Sequence, residues 1–152
     1  MTDFGLSREG VRNEKGARSF CGSYAYLAPE MLKKTGHGKA VDWYLLGVIL
    51  YEMLVGQPPF YAEEKDKLFD NILKNNLYIP TDVRRSLSRD CIDFMGKLLE
   101  KNPQKRLGTK GGASEIKKHP IFKEINWKHV FERKQKMPDP YLAKIAFNII
   151  EN

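Results

Sequence analysis

Apolar positions along the chain gather into a few runs whose spacing predicts helices. The longest run, Trp43 to Val55 (WYLLGVILYEMLV), carries one charged residue, Glu52, and stops at Gly56 ahead of Pro58-Pro59. It is too short for the roughly 20 apolar residues that a membrane-spanning helix needs. It predicts instead a helix over residues 41–56, buried on nearly all sides of a core, with Asp42 placed to cap its N-terminus. From Ser88 to Glu100, Cys91, Ile92, Met95, Leu98 and Leu99 recur at the spacing of one helical face. Asp90 suits the positive first turn of that helix, and Asn102-Pro103 marks its end. Another amphipathic helix is predicted from about Glu63 to Asn75, with Leu68, Phe69, Ile72 and Leu73 on one face. Short helices are predicted from Ala28-Pro29 to the Gly36-His37-Gly38 turn, since Pro is tolerated in a first helical turn, and from Ala113 to Lys118.

The remaining stretches lack such a period. Residues 6–24, rich in Gly, Ser, Arg and Glu, read as a long exposed loop, and loops of that length in compact domains are usually functional or mobile. After Trp127 the pattern becomes irregular, and Met137-Pro138-Asp139-Pro140-Tyr141 reads as an extended strap. Beyond a short strand expected beside Asp3, nothing alternates with strand period, so the fold class is mainly α.

Composition narrows the picture. With 152 residues, 41% of them hydrophobic and 30% charged, the chain has the make-up of a globular domain and not of a disordered tail. A net charge of +7 raises the question of nucleic acid or an anionic membrane. The excess is uneven, however: +3 over residues 1–39, −3 over residues 40–100 and +7 over residues 101–152, where acids stand between the Lys and Arg residues. That pattern predicts a solvated surface, so neither a nucleic-acid partner nor membrane insertion is expected. Cys21 and Cys91 lie far apart with no CxxC spacing and read as buried free thiols of a reducing compartment. No basic region followed by an apolar stretch opens the chain, and an intracellular, cytoplasmic location is expected. His37, His119 and His129 lack metal-ligand spacing, and Gly108, Gly111 and Gly112 around Lys110 read as a turn. Trp43 and Trp127 read as core.

The residues that point to chemistry form an ordered series. Asp3-Phe4-Gly5 is followed by Ser19-Phe20-Cys21-Gly22-Ser23, then by Tyr26-Leu27-Ala28-Pro29-Glu30. Next come Asp42-Trp43, opening an apolar helix that ends Tyr51-Glu52-Met53-Leu54, then Pro58-Pro59-Phe60, and finally Asn102-Pro103-Gln104-Lys105-Arg106-Leu107-Gly108. In this order and at these spacings the series resembles the second half of a eukaryotic protein kinase catalytic domain, with DFG and APE signatures bounding an activation segment. The Phe-Cys-Gly before the Ala-Pro-Glu, and the Pro-rich strap, resemble the AGC group of serine/threonine kinases. The resemblance runs from Asp3 to about Lys144. It implies a partial protein-kinase-like fold, a helical C-lobe without the N-lobe and catalytic loop. Residues 1–135 would be the C-lobe fragment, with 1–30 as activation segment and 41–56 as central buried helix, and residues 136–152 would begin an AGC-type tail.

By the same resemblance, Asp3 would ligate the Mg²⁺ that bridges the nucleotide phosphates. Phe4 would join the hydrophobic column between lobes, and Gly5 would let the backbone switch. Ser19 matches the activation-loop phosphorylation position, with Arg8 as a cation to grip the added phosphate. Ser23 matches a hydroxyl that orients the catalytic aspartate and shapes the slot after the phosphoacceptor. Glu30 would pair with Arg106 to fix the substrate platform. Asp42 would hold the catalytic loop, a role that competes with the helix-cap reading. Glu52 matches a position that can bind a substrate arginine, and as a charge in an apolar helix it needs a partner. Tyr24, expected in the substrate-binding stretch, and Ala25 stand where AGC kinases usually carry Pro and Glu. The missing acid weakens any preference for several basic residues, while Ser23 keeps Ser/Thr specificity.

No Gly-rich loop, β3 lysine or catalytic-loop base is found in these 152 residues, so no catalytic residue is assigned beyond the supporting Ser23. The implied function is ATP-dependent phosphoryl transfer to protein Ser or Thr, with ATP and Mg²⁺ as cofactors of the intact kinase, neither held tightly by this chain. Implied partners are protein substrates, an upstream activating kinase and the chain's own N-lobe, and the 152-residue chain alone is expected to be inactive. The alternative is a non-catalytic, pseudokinase-like module that docks proteins through the helix from Glu63 to Asn75.

Overall fold

A computed structural model describes residues 24–34 and 36–134. The elements in chain order are a 3-10 turn at Tyr24–Tyr26, α1 (Pro29–Leu32), α2 (Ala40–Val55), α3 (Lys65–Lys74), α4 (Thr81–Ser86), α5 (Arg89–Leu98), α6 (Gly112–Lys117), a 3-10 turn at Pro120–Phe122, and α7 (Trp127–Phe131). No strand forms among the described residues; the strand expected beside Asp3 and the strap at 137–141 lie outside them.

The ends of these helices follow local chemistry. Pro29 opens α1 as its first residue, where its missing N–H costs nothing. Gly56, at φ 89°, closes α2 in the left-handed region, and its N–H donates to the Glu52 carbonyl. Ser88 caps α5 by accepting from the Cys91 N–H at 3.1 Å. α5 ends at Leu98, ahead of the expected Asn102-Pro103 stop. Two short helices, α4 and α7, arise where no apolar period announces them; α7 replaces the irregular stretch expected after Trp127.

α2 differs from expectation in two respects. It begins at Ala40 after Lys39, so Asp42 lies inside the first turn and makes no capping bond. Nor is α2 buried on nearly all sides. Tyr44, Gly47, Val48 and Tyr51 face the core, whereas Leu45, Leu46, Ile49 and Met53 are 37–64% exposed. A uniformly apolar sequence hides this division, because hydrophobicity all round gives no stripe to read.

The main core joins Tyr44, Val48 and Tyr51 of α2 to Leu68 and Ile72 of α3 and to Met95 and Leu99. Each such fully buried side chain contributes about 1.5–3 kcal/mol. α2 and α5 approach closely at Gly47, where a Cβ would stand 2.8 Å from the Leu98 Cβ. A second cluster of Phe94, Leu98 and Ile116 packs with Trp43, Leu107 and Phe122. Phe94 falls outside the anticipated apolar set of its helix and serves this second cluster. Trp43 and Trp127 are half-buried and not core: Trp43 lies over Gly108, and Trp127 meets Phe122 edge-on. His119 is a packing residue, bonded to Asp93 at 2.9 Å. The Cys91 thiol is half-buried, and burial pushes its pKa up.

Candidate functional site

The site is built around a buried ion pair. Glu30, in the first turn of α1, and Arg106, in the loop after α5, are 76 residues apart in sequence and meet as a two-pronged pair. Arg106 Nη1 donates to Glu30 Oε1 at 2.6 Å and Nη2 to Oε2 at 2.9 Å. The same guanidinium donates through Nη1 to the Ala40 carbonyl and through Nε to the Glu100 carbonyl, both at 2.9 Å. With Arg106 1% and Glu30 6% exposed, two charges have left water, and these four hydrogen bonds offset their desolvation. α1, the start of α2 and the end of α5 are thereby tied to one planar group. Tyr44 lies beneath it, its ring centroid 4.9 Å from Arg106 Cζ. The Tyr44 hydroxyl is buried without a hydrogen-bond partner among the described residues, and burial drives its pKa well above the ordinary phenol value.

This anchor presents the 3-10 turn Tyr24–Tyr26, which immediately precedes α1. Ala25 and Tyr26 pack partly on the main core. Tyr26 donates its hydroxyl proton to Glu52 Oε2 of α2 at 2.6 Å, which supplies the partner that a charge in an apolar helix requires. That bond, chiefly, holds the Tyr26 pKa up, with smaller contributions from desolvation and the Glu52 charge. At the other end of the turn, Tyr24 meets Phe69 of α3 edge-on at 5.6 Å, and the Lys65 ammonium stands 4.5 Å over the Tyr24 ring. The turn is therefore held by α2 at one end and by α3 at the other.

Asp42 sits apart from this group, on the exposed side of α2. Local desolvation raises its carboxyl pKa, and His37 opposes the shift. α3 is closed by Lys101, whose Nζ donates to the Ile72 carbonyl at 2.6 Å and lies 4.0 Å from the Phe60 ring centroid. Burial, first, brings that amine down to about 8, with Lys33 adding to the effect and Glu100 opposing it.

Of the residues singled out by sequence, the structure thus joins Glu30 to Arg106 and places Tyr24 and Glu52 at the two ends of one turn. Asp3, Phe4, Gly5, Arg8, Ser19 and Ser23 lie outside the described residues. Tyr26, Lys65 and Lys101 are contributors that sequence reasoning assigned no role, and Phe69 was expected only as part of the apolar face of its helix. Tyr26 had a signal, being an aromatic hydroxyl within the motif that supplies Glu30, and Glu52 needed a partner. Lys65 and Lys101 had none, because nothing local distinguishes them from solvated lysines.

The protein kinase domain pattern matches residues 1–122. The chain belongs to the protein kinase family. It is 43% identical over 138 residues to protein kinase C of Drosophila melanogaster, covering 91% of this chain and 18% of that protein. It is 41% identical over 148 residues to protein kinase C epsilon type of Rattus norvegicus, covering 95% of this chain and 19% of that protein. Similarity to the serine/threonine-protein kinase Sgk3 of Rattus norvegicus is 40% over 146 residues, covering 96% of this chain and 28% of that protein. The chain therefore spans less than a third of the length of these relatives. They agree with the AGC resemblance of the motifs, and the mainly helical fold is that of a kinase C-lobe. In this kinase chain the Ala-Pro-Glu signature is the piece that the Arg106 guanidinium anchors.

Proposed function

We propose that the chain serves a serine/threonine protein kinase of the AGC group by building its protein-substrate platform, the intact enzyme transferring the γ-phosphoryl group of ATP to a protein Ser or Thr. The observation that carries this reading is the saturated Glu30–Arg106 pair, which fixes the Ala-Pro-Glu segment so that the Tyr24–Tyr26 turn is presented against Glu52 and α3. Glu52 gives one carboxylate oxygen to Tyr26 and has no other described bond, so the second oxygen is available to a substrate guanidinium. Ser23 would shape the slot after the phosphoacceptor next to Tyr24, and Ser19, once phosphorylated by an upstream kinase, would order the preceding segment with Arg8. Asp42 would hold the catalytic loop.

ATP and Mg²⁺ follow from the family. Among the described residues no group of three His, Cys, Asp or Glu could hold a metal ion, and the Mg²⁺ assignment rests on Asp3, which lies outside them. No described helix is long and apolar enough to cross a membrane. A non-catalytic docking module has no observation in its favour.

Mg·ATP-dependent phosphate transfer to a Ser peptide and to its Tyr analogue tests the proposal. The assay compares the purified chain with the same chain joined behind the preceding part of a relative's catalytic domain, which supplies the Gly-rich loop, lysine and base absent from these 152 residues. Transfer to Ser and not Tyr by the joined protein, with none by the chain alone, is expected. A folded joined protein that phosphorylates neither peptide would overturn the reading.

A further inference from the structure

The Tyr24–Tyr26 turn is held by α2 at its Tyr26 end and by α3 at its Tyr24 end, and the two holds differ in kind. At the first, Tyr26 gives a directed hydrogen bond of 2.6 Å to Glu52. At the second, Phe69 meets the Tyr24 ring edge-on at 5.6 Å, so the position of Tyr24 depends on where α3 itself lies. α3 packs inward through Leu68 and Ile72, but apolar burial has no direction of its own and leaves a helix room to slide and turn. Directed bonds must set its register.

Those bonds gather at the C-terminal end of α3, where the last carbonyls of a helix lack partners within it. Lys101 Nζ donates to the Ile72 carbonyl at 2.6 Å and reaches the Asn71 carbonyl at 3.5 Å. Its ammonium lies 4.0 Å from the centroid of the buried Phe60 ring, and the Phe60 carbonyl accepts from Asn71 Nδ2 at 3.3 Å. At the other end of α3, Lys65 meets the Tyr24 hydroxyl at 3.5 Å. The Lys101 bond to Ile72 is the shortest of these. Lys101 is also fixed from behind, because the carbonyl of the peptide unit joining Glu100 to Lys101 accepts from Arg106 Nε at 2.9 Å. The guanidinium that pairs with Glu30 of α1 is therefore linked to α3 through one peptide unit and one side chain. Keeping that amine half-buried costs desolvation that a solvated lysine does not meet.

Resting on the substrate-platform reading above, we propose that Lys101 is a positioning residue for protein-substrate binding, which acts through α3 to hold Phe69 against Tyr24. It touches neither nucleotide nor substrate. Its loss lets α3 shift and loosens the Tyr24 end of the turn, while the Tyr26 end stays on Glu52. Substrate binding then weakens on the order of threefold, with the phosphoryl-transfer step unchanged.

The test has two readouts. NMR of the isotopically labelled 152-residue chain follows the Tyr24–Phe69 ring contact and the Tyr26 ring, and the joined protein described above gives kcat and KM for the Ser peptide and for ATP. Lys101→Met is expected to weaken the Tyr24–Phe69 contact without shifting Tyr26, and to raise the peptide KM about threefold with kcat and the ATP KM unchanged. Lys101→Arg, which keeps a cation at the end of α3, retains the contact and the KM. Ile121→Val loosens the second apolar cluster, which α3 does not join, and should alter neither readout. An unchanged peptide KM in Lys101→Met, a rise shared by Lys101→Arg or Ile121→Val, or a kcat that falls as far as the KM rises, overturns the role of Lys101 and leaves the platform reading standing. A folded joined protein that phosphorylates neither the Ser nor the Tyr peptide overturns both.

Discussion

Arg106 and Lys65 are both cations set against a tyrosine ring, at 4.9 Å from Tyr44 and 4.5 Å from Tyr24, yet one is sealed and the other open. Arg106 is fully buried, neutralised by Glu30, and gives two further donors to backbone carbonyls. Lys65 is exposed, has rings and a hydroxyl for neighbours, and forms no ion pair with a described residue. A charge out of water must be saturated, and it then fixes shape. A charge at the surface can stay unpaired at little cost.

The largest effect that could break this contrast is Arg106→Met. It leaves the Glu30 carboxylate buried and unpaired and should cost about 3–5 kcal/mol in urea unfolding, against less than about 0.5 kcal/mol for Lys65→Met. Similar losses for the two would erase the distinction. Next comes Gly108→Ala, beside the sealed region. Gly108 has φ 90°, and an added Cβ would stand 2.7 Å from Trp43 Cδ2, so backbone strain and overpacking together should cost about 2–4 kcal/mol. An unchanged thermal midpoint would show that Trp43 yields freely.

A smaller effect, opposite in sign, is expected at Tyr44. Its hydroxyl is the buried side-chain polar atom left without a partner among the described residues, so Tyr44→Phe removes an unmet desolvation cost and keeps the ring under Arg106. A gain of about 1 kcal/mol is expected, and a loss of that size would mean that the hydroxyl is satisfied in solution. The smallest effect concerns Lys101. Its folded pKa of about 8 lies below the ordinary 10.5, so between these values the unfolded chain binds more protons than the folded one. Its contribution to stability therefore rises with pH across that window. The raised Cys91 thiol acts in the opposite direction above its ordinary value of 9.0, which leaves pH 8 to 9 as the interval to measure. Lys101→Met should flatten the rise there, and an unaltered slope would contradict the shift.

These regions also differ in how far the sequence alone disclosed them. Pro29 at the start of α1, Gly56 at the end of α2 and the apolar face of α5 were legible because each is a local signal. The partnership of Glu30 and Arg106 was legible only through the resemblance to kinases, since no local pattern links positions 76 residues apart. Asp42 misled as a cap because Ala40 and Val41 extend the helix before it. α4 and α7 were hidden because five or six residues are too few to show a period. The Lys65 arrangement was beyond reach for another reason: it depends on where α3 sets Phe69 relative to a turn some forty residues earlier.

The central claim is that one saturated ion pair fixes the platform, and a double-mutant cycle in urea unfolding with Glu30→Leu and Arg106→Met tests it most directly. The account predicts that each single change costs about 3–5 kcal/mol and that the double change costs at least about 2 kcal/mol less than their sum, because it leaves no unpaired charge behind. Additivity within about 0.5 kcal/mol would contradict it.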